Sequence, residues 1–278
     1  MRFRRRQTRL ADVPIDLSAD VGEGFNDAAL LPLLTSVNVS CGAHSGDWPA
    51  IRETLRQAGA CGLAIGAHPS FPDRENFGRR VTTRDPEQIR TFVVEQVNRL
   101  AHEADQLGLR LSHVKPHGAL YDLCLWDEEL SSVLVSIIAE LNASVKPGGR
   151  TDPIPLALVA PFGSPALIEA CRAGLPYLAE AFVDRAYQAD GRLVPRTEPG
   201  ALLREPSEVT TRVLALARGE PITTIDGATL RLPADTLCLH GDTQGAAGLA
   251  RAIRDAISAA GLTFKSNLLP GLDHLHIE

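Results

Sequence analysis

Four histidines close short apolar or β-branched runs: His44 in "SVNVSCGAHSGDW", His68 in "GLAIGAHPSFPD", His117 in "LSHVKPHGALYD" and His240 in "TLCLHGD". Imidazole exchanges protons near neutral pH and ligates metals. Their repetition at the ends of such runs therefore points to chemistry. Ionisable partners accompany them. Asp20 and Glu23 flank a glycine turn in "DVGEG", Asp47 follows His44 by three residues, and Asp184 and Arg185 end the run "YLAEAFVDR". Asp242 lies two residues after His240, the spacing of a base and its orienting carboxylate. Lys115 and His117 alternate across Pro116, so in extended backbone both side chains point the same way. An ammonium and an imidazole aimed together suit a developing oxyanion or a phosphate. Lys115 is also one of only three lysines in a chain whose cations are otherwise arginine. Each buried ionisable group left unpaired costs on the order of a few kcal/mol. A fold therefore keeps such a set only if its members pair with each other, with a metal or with a substrate.

The segments that must position these residues alternate strand and helix throughout. Strands are expected at "PIDLSAD", "SVNVSCG", "GLAIGAHP", "RLSHVKPHG", "LALVAPFG", "YLAEAFVD" and "TLCLHGD". Helices are expected at "WPAIRETLRQAGA" after the cap Asp47, from Asp85-Pro86 to Gly108, and at "DEELSSVLVSIIAELNA", "SPALIEACRAG", "EPSEVTTRVLALARG" and "GAAGLARAIRDAISAAG". Repeated βα units imply a parallel sheet. The polar residues fall at the C-terminal end of nearly every strand. In a (β/α) barrel those ends converge on one mouth, whereas a doubly wound sheet would use only the strands beside its switch point. The expected fold is α/β, an incomplete TIM-like (β/α)7 barrel. Residues 15–262 form the single domain, between a basic arm at 1–14 and a tail at 263–278. His113 is in phase with Lys115 but deeper, where packing is its expected role, and Asp47 serves as a helix cap that also lines the mouth.

Other chemistries leave their signatures elsewhere. The formal charge of −6 provides no basic face for nucleic acid. No apolar run reaches the length of a membrane span, and the basic start lacks a secretory apolar core, so a cytoplasmic location is expected. Five cysteines without regular spacing or a CxxC pair make neither a disulfide framework nor a cysteine zinc site. GxxxxGK[ST], GxGxxG and HExxH are absent, and "GAHSG" is not a nucleophile elbow. A divalent metal held by Asp20, His44, His68 and His240 stays open, because spacing between strands is not diagnostic.

Six stretches, "DLSADVGEG", "NVSCGAHSGD", "GAHPSFPDRENFGRR", "HVKPHGALYD", "EAFVDRAYQADGRLVPRTEPGALL" and "ADTLCLHGD", come in order within a span of about Ile15 to about Gly261. Together they resemble the LamB/YcsF family, the A subunits of ATP-hydrolysing bacterial 5-oxoprolinase. The resemblance implies a barrel akin to glycoside hydrolase/deacetylase folds, and opening of the lactam of L-5-oxoproline to L-glutamate with ATP as co-substrate. It also implies partner subunits B and C. On that reading His44, His68, Lys115, His117, His240 and Asp242 carry the chemistry, with His240 or His44 as base and Lys115 and His117 on the oxyanion or phosphate. Asp20, Glu23, Asp47, Asp184 and Arg185 would bind substrate. Ser18 and Ala19 stand where the family usually has Asn and Cys, Ala43 where a larger aromatic is common, and Asp122 where Asn is frequent. Two other functions fit the residues: a stand-alone metal-dependent amidohydrolase or deacetylase, and a non-catalytic substrate-binding subunit.

Overall fold

The structure, a computed structural model, describes residues 15–144, 155–242, 245–266 and 268. Strands β1 (Asp16–Val21), β2 (Ser36–Ser40), β3 (Ala64–His68), β4 (Leu111–Val114), β5 (Ala157–Pro161), β6 (Tyr177–Phe182) and β9 (Thr236–His240) form a closed barrel in that order. Every pairing around it is parallel, and β9 closes the ring between β6 and β1. Helices α1 (Trp48–Ala60), α2 (Pro86–Asp105), α3 (Gly118–Trp126), α4 (Glu128–Ala143), α5 (Pro165–Arg172), α6 (Pro206–Ala217) and α7 (Ala246–Ala259) follow or join the strands. The expected strands and long helices are all present, in the expected order.

Strand periodicity decides which side chains face the axis. In β1 and β2, Leu17, Ala19, Val21, Val37 and Val39 belong to the large apolar cluster beneath the helices. Their neighbours Asp16, Ser18, Asp20, Ser36 and Asn38 turn the other way and are buried as well. The barrel interior is therefore polar, and it is held by mutual pairing. Asp16 accepts hydrogen bonds from Ser36 (2.7 Å), Thr35 (2.8 Å) and Thr236 (2.5 Å), tying β1 to both neighbours. Burial nonetheless pushes the Asp16 carboxyl above its ordinary value.

Helix starts follow the capping residues. The carboxylates of Asp47, Asp85 and Asp127, and the Ser164 hydroxyl, accept from backbone N–H groups of α1, α2, α4 and α5. Two elements differ from the sequence reading. Helix α3 follows His117 directly, in a stretch to which the sequence reading assigned no element; Leu120, Tyr121, Leu123, Cys124 and Leu125 are all buried, which erases any amphipathic period. A hairpin of two two-residue strands, β7 (Ile222–Thr223) and β8 (Thr229–Leu230), turns at Asp226-Gly227.

The barrel also uses chain beyond residue 262. Phe264 bridges to Ile15 in parallel, and Lys265 N–H donates to Ile15 O at 3.0 Å. Leu268 packs with Ala64, Ala157, Val159 and Leu178, at the end of the barrel where the strands begin. The basic arm, residues 145–154 and the histidines His274 and His276 lie outside the described residues. No helix among the described residues is long and apolar enough to cross a membrane.

Gly66 on β3 makes room for the His113 ring: a Cβ there would lie 2.1 Å from His113 Nε2. That ring is fixed between Ser112 (2.9 Å) and Asn38 (2.8 Å) and has no route aside. Gly66→Ala should therefore lower unfolding stability by about 1–3 kcal/mol. Gly248→Ala, in α7 with open space around it, should instead raise stability by about 0.8–1 kcal/mol. Urea denaturation of both variants checks the contrast.

Candidate functional site

Strand-end polar residues do converge on one mouth, in three linked groups. The deepest is an ion network around Lys115, which is 1% exposed. Its Nζ lies 2.9 Å from Asp20 Oδ1 and 2.7 Å from Glu180 Oε1, donates to Cys238 Sγ at 3.1 Å, and sits 4.7 Å from the Phe182 ring centre. Asn38 Nδ2 donates to the same Asp20 oxygen at 2.9 Å, and Tyr121 donates its hydroxyl to Glu180 Oε2 at 3.1 Å. Burial pulls the Lys115 ammonium down, but Asp20, Cys238 and Glu180 around it outweigh that and hold it well above 10.5. Burial likewise raises Asp20, while His68 and Lys115 bring it well below 3.8. Lys115 is therefore a permanent internal cation tied to β1, β6 and β9. The sequence reading set Lys115 on an oxyanion or phosphate; here its ammonium is buried and faces Asp20, Glu180 and Cys238.

The second group surrounds Glu23. Its Oε1 lies 3.0 Å from His44 Nε2, 3.3 Å from His117 Nδ1 and 3.8 Å from His68 Nε2. His117 Nδ1 and His68 Nε2 are 3.0 Å apart, and Asp20 Oδ2 is 3.4 Å from His68 Nε2. The far ring nitrogens are engaged too: His44 Nδ1 with Ser70 Oγ (2.8 Å), His68 Nδ1 with Lys115 O (2.7 Å), and His117 Nε2 with Phe77 O (2.9 Å). The His44 and His117 rings stack 3.8 Å apart at 5°, with the Phe77 ring edge-on to both. Phe77 itself is held in the left-handed region at φ 54°. Burial lowers His44 to about 4 against the pull of Glu23, and lowers His117 as well. For Glu23, burial acts upward, but the His117 and His44 contacts bring the carboxyl far below 4.5. Glu23, His44 and His117 each offer a ligand atom within 4.8 Å of the others, so they could hold a metal ion.

The third group is His240 with Asp184. The Asp184 carboxylate accepts from His240 Nδ1 at 2.9 Å and from its backbone N–H at 3.2 Å, and the imidazole stacks on Phe182 at 4.7 Å and 16°. Burial raises the Asp184 carboxyl, and the His240 interactions and Arg196 hold it below 3.8. The pairing of His240 with Asp242 expected from spacing is corrected here: Asp242 accepts instead from Arg79 and Arg196, each at 2.9 Å. After β9 ends at His240, the chain turns at Gly241, whose missing Cβ would sit 2.2 Å from Asp20 O, and extended-strand phase no longer applies.

Two further expected residues lie elsewhere in role. Asp47 is exposed and caps α1 through Ala50 N–H. Arg185 is buried, donates to Val194 O at 2.6 Å, and leaves its Nε without a partner. Sequence reasoning did not single out Glu180, Asn38, Ser70, Phe77, Arg79 or Arg196. For Glu180 a signal existed: it lies in phase with Phe182 and Asp184, a charge inside an otherwise apolar run.

The sequence profile of the LamB/YcsF family matches residues 15–268. A protein of Chloroflexus aggregans, named as the A subunit of 5-oxoprolinase, is 42% identical over 259 residues, covering 91% of this chain and 98% of its own length. One of the same name from Methylococcus capsulatus is 41% identical over 254 residues, covering 89% and 94%. Among solved structures, the lactam utilization protein of Thermus thermophilus superposes with a TM-score of 0.80 at 36% identity, covering 91% of this chain and all of that one. An uncharacterized protein of Agrobacterium tumefaciens, with a TM-score of 0.54 at 9% identity and covering 94% and 90%, shares the fold alone. With a profile match across the whole barrel and relatives this similar over nearly their full length, the chain belongs to the LamB/YcsF family.

Proposed function

We propose that this chain is the A subunit of an ATP-dependent 5-oxoprolinase, working beside subunits B and C in the cytoplasm to open the lactam of L-5-oxoproline to L-glutamate. Relatives at about 42% identity are named as the A subunit of that enzyme, which supports the reaction class. The observation that carries the mechanism is the His240–Asp184 pair at the barrel mouth. The carboxylate fixes the proton on Nδ1 and leaves the lone pair on Nε2, the arrangement of a general base. His44, the other candidate base, has both nitrogens engaged and is 1% exposed.

A lactam carbonyl is a poor electrophile. Transfer of the γ-phosphoryl group of ATP to its oxygen gives an imidate phosphate whose carbon water can attack. His240 Nε2 would take the proton from that water as the C–O bond forms. The ring C–N bond then breaks as the nitrogen is protonated, leaving γ-glutamyl phosphate, and a second water hydrolyses that acyl phosphate to release phosphate and L-glutamate. Arg79 and Arg196 share the single carboxylate of Asp242. Guanidinium groups at the mouth suit the carboxylate of 5-oxoproline or the departing phosphate. A second reading, a stand-alone metal-dependent amide hydrolase, is favoured by the donor set of Glu23, His44 and His117. Turnover without ATP or partner subunits distinguishes it.

The reading is tested by glutamate formation from 5-oxoproline and ATP with the B and C partners present. His240→Ala, with its fold checked by circular dichroism, should lower the rate by about 10²–10⁴-fold. Undiminished turnover would move the base to a partner, and no turnover in an assembled wild-type mixture would sink the assignment. A second expectation follows from Asp184. Its folded pKa is lowered, so its contribution to stability is fully present above the ordinary 3.8 and lost as pH falls through the folded value. The stability gap between wild type and Asp184→Asn should be constant near neutrality and shrink below 3.8. Urea midpoints measured across the acid range check it.

A further inference from the structure

At alternate positions along β6 and just past its end, Glu180, Phe182 and Asp184 turn to the same side, as extended backbone requires. Glu180 meets Lys115, and Asp184 meets His240. Phe182, between them in sequence, touches both of those groups. Its ring centre lies 4.7 Å from Lys115 Nζ, and 4.7 Å from the centre of the His240 ring with 16° between the planes. Phe182 is itself held in place. It is buried, Tyr121 stands edge-on to it at 5.9 Å and 74°, and its backbone N–H donates to the Tyr187 hydroxyl at 2.7 Å. Membership of the apolar core accounts for its burial, but not for a near-parallel face laid against the imidazole.

The Asp184 contact alone leaves His240 one freedom. The carboxylate holds the imidazole at Nδ1 and the backbone at its N–H. The last torsion of a histidine side chain is broad, and a ring held at one nitrogen can still tilt about that hydrogen bond. Tilting swings Nε2, on the far side of the ring, away from whatever it addresses. A flat aromatic face packed against the imidazole removes this freedom on its side, because tilting drives ring atoms into it.

We propose that Phe182 is a positioning residue for the reaction: its ring sets the plane of the His240 imidazole, and so the direction in which Nε2 presents its lone pair. The proposal rests on the reading of His240 as the base. A base has to lie in line with the proton it takes, and a misplacement of about 1 Å can cost about 10²-fold in rate. Because Phe182 also lies against the Lys115 ammonium, the base takes its orientation from the buried ion network as well as from Asp184.

One test reads the base without turnover. Nuclear magnetic resonance of the chain with nitrogen-15 in its histidine rings identifies His240 by the signals lost in His240→Ala. In the neutral ring of the wild type, Nδ1 should show the shift of a protonated nitrogen and Nε2 that of a bare one. Phe182→Met fills the space with a flexible chain that has no flat face. There the two shifts should draw together, as the ring leaves Asp184 part of the time and the other tautomer appears. The second test is glutamate formation with the B and C partners present. Phe182→Met should lower kcat by about 10–100-fold with KM little changed, the pattern of an interaction that matters in the transition state rather than in binding. Phe92→Leu, in α2 against Phe71, also shortens an aromatic packed in the core and should match the wild type in both tests. If Phe182→Met fails to fold, Phe182→Leu takes its place. Unmoved His240 shifts in the folded variant, a loss confined to KM, or an equal loss of kcat in Phe92→Leu overturns the proposal. If the assembled wild type makes no glutamate, the oxoprolinase reading fails, while the ring shifts still decide the role of Phe182.

Discussion

A lysine ammonium at the barrel axis is the interaction on which the mouth is built. Lys115 draws together Asp20 from β1, Glu180 from β6 and Cys238 from β9, so strands far apart in sequence are fixed by one charge. Breaking such a buried network by removing one partner costs about 3–5 kcal/mol, chiefly because the remaining charges lose their counter-ion. The same network sets the neighbouring groups. Asp20 is held ionised, its second oxygen is turned to His68, and the Lys115 carbonyl fixes the tautomer of that ring. The histidine groups above thus depend on a salt bridge buried beneath them.

The interior explains why so many ionisable groups persist in a buried place. Strand alternation puts every second residue on the axis, and in this barrel many of those positions are polar. Asp16 with its three hydroxyls, Asn38 between Asp20 and His113, and Tyr121 on Glu180 each satisfy a group that would otherwise destabilise the fold. Glu23 is held ionised in the same way, by its contacts with His44 and His117.

Much of the fold was legible in the sequence, because strand and helix periods, caps and strand-end histidines are local signals. Seven strands, their order and the gathering of Asp20, Glu23, His44, His68, Lys115 and His117 at one end follow from them. Helix α3 was missed because it is apolar and buried on most of its surface and has no period to detect. Pairing was less legible. His240 and Asp242 are two apart in sequence, yet the turn at Gly241 sends Asp242 to two arginines, and Asp184 arrives from the adjacent strand. Which carboxylate meets which base is set by register between strands, and a one-dimensional spacing cannot report it.

Leu268, seated among Ala64, Ala157, Val159 and Leu178, stoppers the barrel where its strands begin. The floor of the barrel is therefore laid in part by chain that follows its last helix.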